Sequence, residues 1–137
     1  MRVLLDTNII LDFLLEREPF MRDAEDLFQA IESERILGYV TATTVTDIFY
    51  IVRRETRSIE RARQAVSTTL AVMQVCTVDR SILERAQASN LRDFEDAVQV
   101  ACAAAMSLEA IITRDYQDFA GANLLILSAG ELLEQLS

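Results

Sequence analysis

The sequence contains no histidine, no tryptophan and no lysine, so all 13 of its basic residues are arginines. Without histidine or lysine, the chain lacks the usual general base of serine and cysteine hydrolases, the amine of Schiff-base enzymes and the phosphate-binding lysine of P-loop proteins. Any catalysis must therefore depend on carboxylates, hydroxyl groups, arginines or a bound metal ion.

Proline and glycine are also scarce, with one proline and three glycines in 137 residues. Nothing in the chain resembles a linker or a low-complexity tail, whose compositions are rich in these residues. Because 51% of the residues are hydrophobic and 26% are charged, the sequence predicts one globular domain that spans residues 1–137.

The chain has only two cysteines, Cys76 and Cys102, and each lies in an apolar segment. This pattern predicts reduced, buried thiols and excludes a cysteine-rich zinc site. No apolar run approaches the roughly 18 residues that span a bilayer, and Met1–Leu5 lacks the features of a signal peptide. The sequence therefore predicts a soluble cytoplasmic protein without a membrane partner.

The net charge of −9 argues against indiscriminate binding to nucleic acids, because such binding depends on the neutralisation of phosphates by basic residues. It does not argue against a local site. When carboxylates hold a divalent cation, the charge of the cation offsets their own, and a phosphate group is then attracted to the site.

Short apolar segments alternate with segments of helical periodicity along the chain. This alternation predicts a single-domain, three-layer α/β/α fold with a doubly wound, five-stranded parallel sheet. Ligands of such sheets bind beyond the carboxyl ends of the strands, where the strand order reverses. The predicted strands are Arg2–Leu5, Gly38–Ala42, Val75–Val78, Ala110–Thr113 and Leu124–Leu127. The predicted helices include Thr43–Arg54, Ser58–Met73, Ser81–Ala88, Asp93–Met106 and one that Ser128 caps.

Acidic residues occur at the predicted carboxyl ends of the strands. Asp6 directly follows the first strand, and Asp115 follows the fourth. Asp93 and Asp96 share one face of a helix, and Asp47 lies among apolar residues, where an acid needs a partner or a cavity. Carboxylates that converge on one crevice repel one another unless a hard cation compensates them, which favours Mg²⁺ or Mn²⁺.

Each of these acids also has a purely structural interpretation. Asp6 suits the N-cap of a helix, and Asp93 and Glu95 suit a first helical turn, where the helix dipole favours acids. Asp115 and Asp118 suit turns and caps. The joint placement of the acids, rather than any one of them, indicates a site.

Three segments resemble those of the PIN-domain ribonucleases, a family that includes the VapC-type toxins of toxin–antitoxin pairs. They are Val3–Asp12 (VLLDTNIILD), Asp93–Ala97 (DFEDA) and Ile112–Phe119 (ITRDYQDF). The resemblance covers nearly the whole chain, and the three segments follow the family's order and spacing.

The resemblance implies a metal-dependent endoribonuclease that hydrolyses single-stranded RNA through a metal-activated water. It implies that Asp6, Asp96 and Asp115 hold one or two Mg²⁺ or Mn²⁺ ions. Asp47 completes the implied catalytic set, at a position where the family usually has glutamate. Its side chain is one methylene shorter, which predicts that it contacts the metal through water.

The resemblance also implies auxiliary residues and partners. Thr7, Asn8 and Thr113 would orient carboxylates or water through hydrogen bonds. Asp93 and Asp118 would lie just outside the metal ligands, and the fourth acid is either Asp115 or Asp118. The implied partners are the RNA substrate, a cognate antitoxin protein and a second copy of the chain in a homodimer.

Positive charge is concentrated in one short stretch after the segment of Asp47. Two interpretations are open: a track for the RNA backbone, since arginine binds phosphate bidentately, or a solvated face that balances Glu55 and Glu60. The arginines of this stretch are Arg53, Arg54, Arg57, Arg61 and Arg63.

Two other functions compete with the nuclease. One is a non-catalytic PIN-like module that binds RNA or a protein, for which the aspartate at position 47 marks lost or altered activity. The other is a phosphohydrolase of small molecules on the same scaffold. Metal binding separates the enzyme from the module, and turnover of simple phosphodiesters without a response to RNA would indicate the phosphohydrolase.

Overall fold

The computed structural model describes residues 1–137 and contains one sheet of five parallel strands in the order β3-β2-β1-β4-β5. The register places Leu4 of the central strand opposite Tyr39 on one side and Ile111 on the other. The five-stranded parallel sheet predicted from the sequence is confirmed. The strands are β1 Arg2–Leu5, β2 Leu37–Thr41, β3 Gln74–Cys76, β4 Ala110–Ile112 and β5 Leu125–Leu127.

Seven α-helices connect and cover the strands. Ser58 and Ser128 cap the helices that follow them, as predicted, because each side chain accepts a hydrogen bond from a backbone N–H of the first turn. The helices are α1 Thr7–Leu14, α2 Met21–Glu32, α3 Ala42–Thr56, α4 Ile59–Val72, α5 Arg80–Gln87, α6 Phe94–Ala105 and α7 Ala129–Leu136.

The predicted boundaries differ from the observed ones by one or two residues at several ends. The second strand ends at Thr41 because this residue caps α3, so Ala42 is already helical. The third strand ends at Cys76, which pairs with the last residue of β2. A short 3₁₀ helix at Tyr116–Phe119 was not predicted from the sequence.

The sheet separates two hydrophobic clusters. Alternate residues of β1 point to opposite faces, so Leu5 packs in one cluster with Ile10 and Phe28, whereas Leu4 packs in the other with Phe119. The three-layer α/β/α arrangement is therefore confirmed. The two cysteines are free and buried, as predicted. No helix combines the length and the apolar character needed to cross a bilayer.

The strand order reverses at β1, the first strand of the chain, which lies between β2 and β4. The backbone N–H of Asp6 donates a hydrogen bond of 2.9 Å to the carbonyl of Ile112, so the ends of β1 and β4 lie side by side. This is the point at which doubly wound sheets bind ligands.

Candidate active site

Asp6 is the most constrained acid of this crevice, with only 6% of its surface exposed. Gln99 Nε2 donates to its Oδ1 at 3.0 Å, and Thr113 Oγ1 donates to its Oδ2 at 2.8 Å. Burial raises the pKa of Asp6, and the charge of Asp115 adds to the effect, while the hydrogen bonds oppose it. The two donors fix the orientation of a carboxylate that water solvates poorly.

The three predicted auxiliary residues differ in what they contact. Thr113 contacts two acids, since its hydroxyl donates to Asp6 and accepts from the backbone N–H of Asp115 at 3.0 Å. Thr7 instead shares a hydrogen bond of 2.9 Å with the Thr44 hydroxyl. The side chain of Asn8 accepts a hydrogen bond of 3.3 Å from Arg17.

Helix α6 contributes the second acid, Asp96. Asp93 caps the helix, because its Oδ1 accepts from the backbone N–H of Asp96 at 3.0 Å. The Asp96 side chain is half-buried, and its pKa is raised to about 7, first by burial and then by the charges of Asp93, Asp6, Asp118 and Asp115. Asp96 therefore lies in an uncompensated negative field.

Asp47 of α3 has the partner that an acid on a largely apolar helix needs. Its carboxyl group is hydrogen-bonded to that of Glu95, which raises the pKa of Glu95 to about 8, with burial as the next cause. The neighbouring acids and burial therefore hold Glu95 toward its neutral form. The sequence predicted Glu95 only in the first turn of its helix, because nothing in the local pattern shows that the side chains of Asp47 and Glu95 approach each other.

Asp115 and Asp118 lie on the short segment after β4. Asp115 precedes the 3₁₀ helix and is partly buried, and Asp118 is exposed within the helix. Asp118 lines an open pocket of about 390 Å³ together with Asp93, Asp96 and Arg92. The charges of both acids help to raise the pKa of Asp96, so both remain candidates for the fourth acid.

A charged cluster that was not predicted from the sequence lies beneath this segment. Asp12 is completely buried and accepts two hydrogen bonds from Arg114, at 3.0 and 3.2 Å, while Arg17 lies 3.8 Å away. The guanidinium of Arg114 lies 4.0 Å from the ring centroid of Phe20. These contacts attach the segment after β4 to α1 and so help to position Asp115.

The predicted arginine track lies at the far end of α3. Arg53 and Arg54 are in its last turn, and Arg57 ends the helix in the left-handed conformation. All three side chains are exposed, and the only ion pair among them joins Arg54 to Glu55 at 3.5 Å. They lie about two turns or more along the chain from Asp47, and none contacts an acid of the crevice.

The acids fit a hard divalent cation by their chemistry, since the site offers only oxygen donors and an excess of negative charge. As the side chains stand, no group of three of them converges closely enough to hold one ion. Binding through three carboxylates would therefore require changes of rotamer. The side chains best placed to hold an ion are Asp6, Asp96 and one of Asp115 and Asp118.

Fold and site together define a doubly wound α/β domain with a carboxylate-lined crevice at its topological switch point. The sequence matches the PIN domain family over residues 2–117. The chain therefore belongs to the PIN-domain family, as the sequence motifs predicted. Comparison with curated protein sequences gives no significant match.

Several solved structures are similar over nearly the full length. A toxin–antitoxin complex from Klebsiella pneumoniae is 28% identical, with a TM-score of 0.66, and the match covers 93% of this chain and 97% of that one. VapBC-1 from nontypeable Haemophilus influenzae is 15% identical, with a TM-score of 0.68 and coverage of 95% and 99%. VapC20 from Mycobacterium tuberculosis, described as a toxin that cleaves the sarcin–ricin loop, is 14% identical, with a TM-score of 0.65 and coverage of 80% and 86%.

Proposed function

We propose that this PIN-domain protein is a metal-dependent endoribonuclease that hydrolyses single-stranded RNA and acts as the toxin of a toxin–antitoxin pair. The observation that carries the proposal is the crowding of carboxylates around Asp6 and Asp96 at the switch point of the sheet. Family membership supports a nuclease, and the similarity to toxins in complex with antitoxins supports the toxin role.

The acids divide into ligands and supporting groups. Asp6, Asp96 and Asp115 would hold Mg²⁺ or Mn²⁺, with Asp118 as the alternative to Asp115. The chemistry supplied at these residues would be a water molecule of lowered pKa and compensation of charge on the phosphodiester. Thr113 holds Asp6 in its orientation through a hydrogen bond of 2.8 Å, and Asp93 fixes the start of α6.

Asp47 and Glu95 form the third part of the catalytic site. Since Glu95 is held toward its neutral form without a cation, nearby positive charge would favour the form in which both are ionised. The longer glutamate side chain thus stands beside the shorter aspartate that occupies the family's usual glutamate position. Together the two side chains place carboxylate oxygens at two different distances from the backbone.

We infer the partners from the similar solved structures and from the charge distribution of this chain. The toxin–antitoxin structures support an antitoxin partner, and we include a homodimer as a prediction. Arg53, Arg54 and Arg57 carry exposed positive charge in a protein of net charge −9, which suits contacts to RNA phosphates. Thr7 and Asn8 would orient carboxylates or water, and their side chains also contact Thr44 and Arg17.

A non-catalytic PIN module that binds RNA or protein is the second candidate. Two observations favour it: aspartate occupies position 47, and no three acids converge on one point. The module needs only its outer surface, whereas the enzyme needs metal affinity in the crevice.

Cleavage of a long single-stranded RNA tests the proposal, with the same RNA annealed to its complement as the duplex comparison. The wild type and Asp26→Asn, a matched change at an exposed acid of α2, should cleave the single strand with Mn²⁺ or Mg²⁺ and not with EDTA. Asp6→Asn and Asp96→Asn should lose about 100-fold or more, since even the loss of a metal ligand's hydrogen-bond partner costs 10–100-fold. Equal cleavage by Asp6→Asn would refute the site, and no cleavage together with no metal binding would favour the module.

A further inference from the structure

One buried polar atom of the structure has no hydrogen-bond partner, and it belongs to the crevice. Gln99 is 1% exposed, and its Oε1 is the only buried side-chain nitrogen or oxygen without a partner. Such atoms are uncommon in native proteins because their desolvation is not compensated, so each needs an explanation.

The orientation of the Gln99 amide follows from its contact with Asp6. A carboxylate only accepts hydrogen bonds, so the amide nitrogen must face Asp6 Oδ1, from which it lies 3.0 Å. The reverse orientation would place two oxygens in contact. The carbonyl oxygen is therefore directed away from Asp6 and cannot satisfy itself by a flip of the amide.

The surroundings of the amide provide acceptors rather than donors. Gln99 follows Asp96 by three residues and Glu95 by four on α6, so the three side chains share one face of the helix. No side-chain or backbone donor of the chain reaches Oε1. The missing donor must therefore come from outside the chain.

A smaller or apolar side chain would remove the unpartnered oxygen. The nearby Val98 and Ala101 are apolar and buried, so such a side chain would suit this part of the helix. Methionine has a similar length and would leave no unpartnered oxygen. Glutamine at this position thus satisfies Asp6 through Nε2 but leaves a second buried polar atom uncompensated unless Oε1 also has a role.

On the basis of the proposed metal-dependent function, we propose that Gln99 is a positioning residue of the metal site, with Nε2 fixing Asp6 and Oε1 accepting from a water molecule of the cation's hydration shell. Water fits the atom because Mg²⁺ and Mn²⁺ sites usually retain several waters and because each water can donate. An RNA hydroxyl fits less well, since Oε1 is buried from solvent.

Two variants and one control test this role through Mn²⁺ affinity, measured from the EPR signal of the free ion. Gln99→Met removes donor and acceptor and should raise the Kd for Mn²⁺ about 10-fold or more, as expected for a hydrogen-bond partner of a metal ligand. Gln99→Glu keeps an acceptor without the donor, so it should melt at a lower temperature in EDTA yet bind Mn²⁺ more tightly than Gln99→Met does. Gln64→Met, the same change at an exposed position of α4, should leave the Kd unchanged.

The outcomes separate this inference from the proposed function. If the wild type binds no Mn²⁺, both are overturned. If the wild type binds Mn²⁺ and Gln99→Met binds it equally well, only the role of Gln99 is overturned. If Gln99→Glu loses as much affinity for Mn²⁺ as Gln99→Met does, the proposed role of Oε1 as an acceptor is overturned. Should Gln99→Met fail to fold, Gln99→Leu takes its place as the variant without donor or acceptor, and the same comparisons with the wild type and Gln99→Glu apply.

Discussion

Asp96→Asn should stabilise the metal-free protein, although Asp96 is proposed as a metal ligand. The carboxylate lies in the field of four other acids, which together with burial raise its pKa to about 7. An acid with a raised pKa stabilises the fold below its unfolded pKa and loses that contribution as the pH rises through the folded value. The asparagine variant carries no charge there and avoids this loss.

The magnitude follows from the difference between the two pKa values. The pKa rises from 3.8 to about 7. At about 1.4 kcal/mol per unit, a difference of about 3 corresponds to about 4 kcal/mol. Since the side chain is only half-buried, solvent screening reduces this to about 2 kcal/mol, and the loss of an acid from the first turn of α6 costs about 0.5 kcal/mol. The remaining 1.5 kcal/mol or so should raise the Tm by about 5 °C.

Thermal melts in EDTA from pH 4 to pH 8 measure the effect, with Asp26→Asn as the matched exposed control. The gain of Asp96→Asn should be near zero at pH 4, grow with pH and level off above about pH 7. Mn²⁺ at about 100 times its Kd should add about 2.7 kcal/mol to the wild type and much less to the variant, which reverses the order. A lower Tm for Asp96→Asn at pH 8 in EDTA, or a gain in Tm that is equal at all pH values, would show that the ionised Asp96 carboxylate does not destabilise the metal-free fold.

Three further predictions concern residues around the crevice. Thr113→Val keeps the shape of the side chain but removes a buried donor to Asp6, so urea unfolding should show a loss of about 2 kcal/mol, and an unchanged midpoint would contradict the geometry. Asp12→Asn weakens the paired hydrogen bonds to the partly exposed Arg114 and should cost about 2 kcal/mol by the same assay. A wild-type midpoint for this variant would contradict the expectation. Burial raises the pKa of Cys76 to about 11 and that of Cys102 to about 12, so a thiol reagent at pH 8 should modify neither before denaturant is added. Rapid modification of the folded protein would contradict this burial.

The fold was largely predictable because its signals are local. Five apolar segments separated by helical periodicity indicate a doubly wound sheet, and capping residues such as Ser58 and Ser128 mark the starts of helices. The exact strand ends were not predictable, because they depend on pairing with a neighbouring strand. Cys76, for example, ends β3 because its partner Thr41 ends β2.

The positions of the acids were predictable to the level of the sheet edge, since Asp6 follows β1 and Asp115 follows β4. Their hydrogen-bond partners were not. Gln99 contacts Asp6 from 93 residues away, and Glu95 interacts with Asp47 although the two belong to helices packed on opposite faces of the sheet. Contacts of this kind arise from the packing of helices on the sheet, which no local pattern encodes.

Crystals of the wild-type protein soaked in Mn²⁺, with anomalous diffraction recorded at the manganese edge, would show where the ion binds. If the carboxylates at the switch point of the sheet hold the ion on which RNA hydrolysis depends, an anomalous peak should lie at ligand distance from Asp6 and Asp96. Crystals of Asp6→Asn should show no such peak. A peak elsewhere on the molecule, or one that persists beside position 6 in the variant, would contradict this metal site.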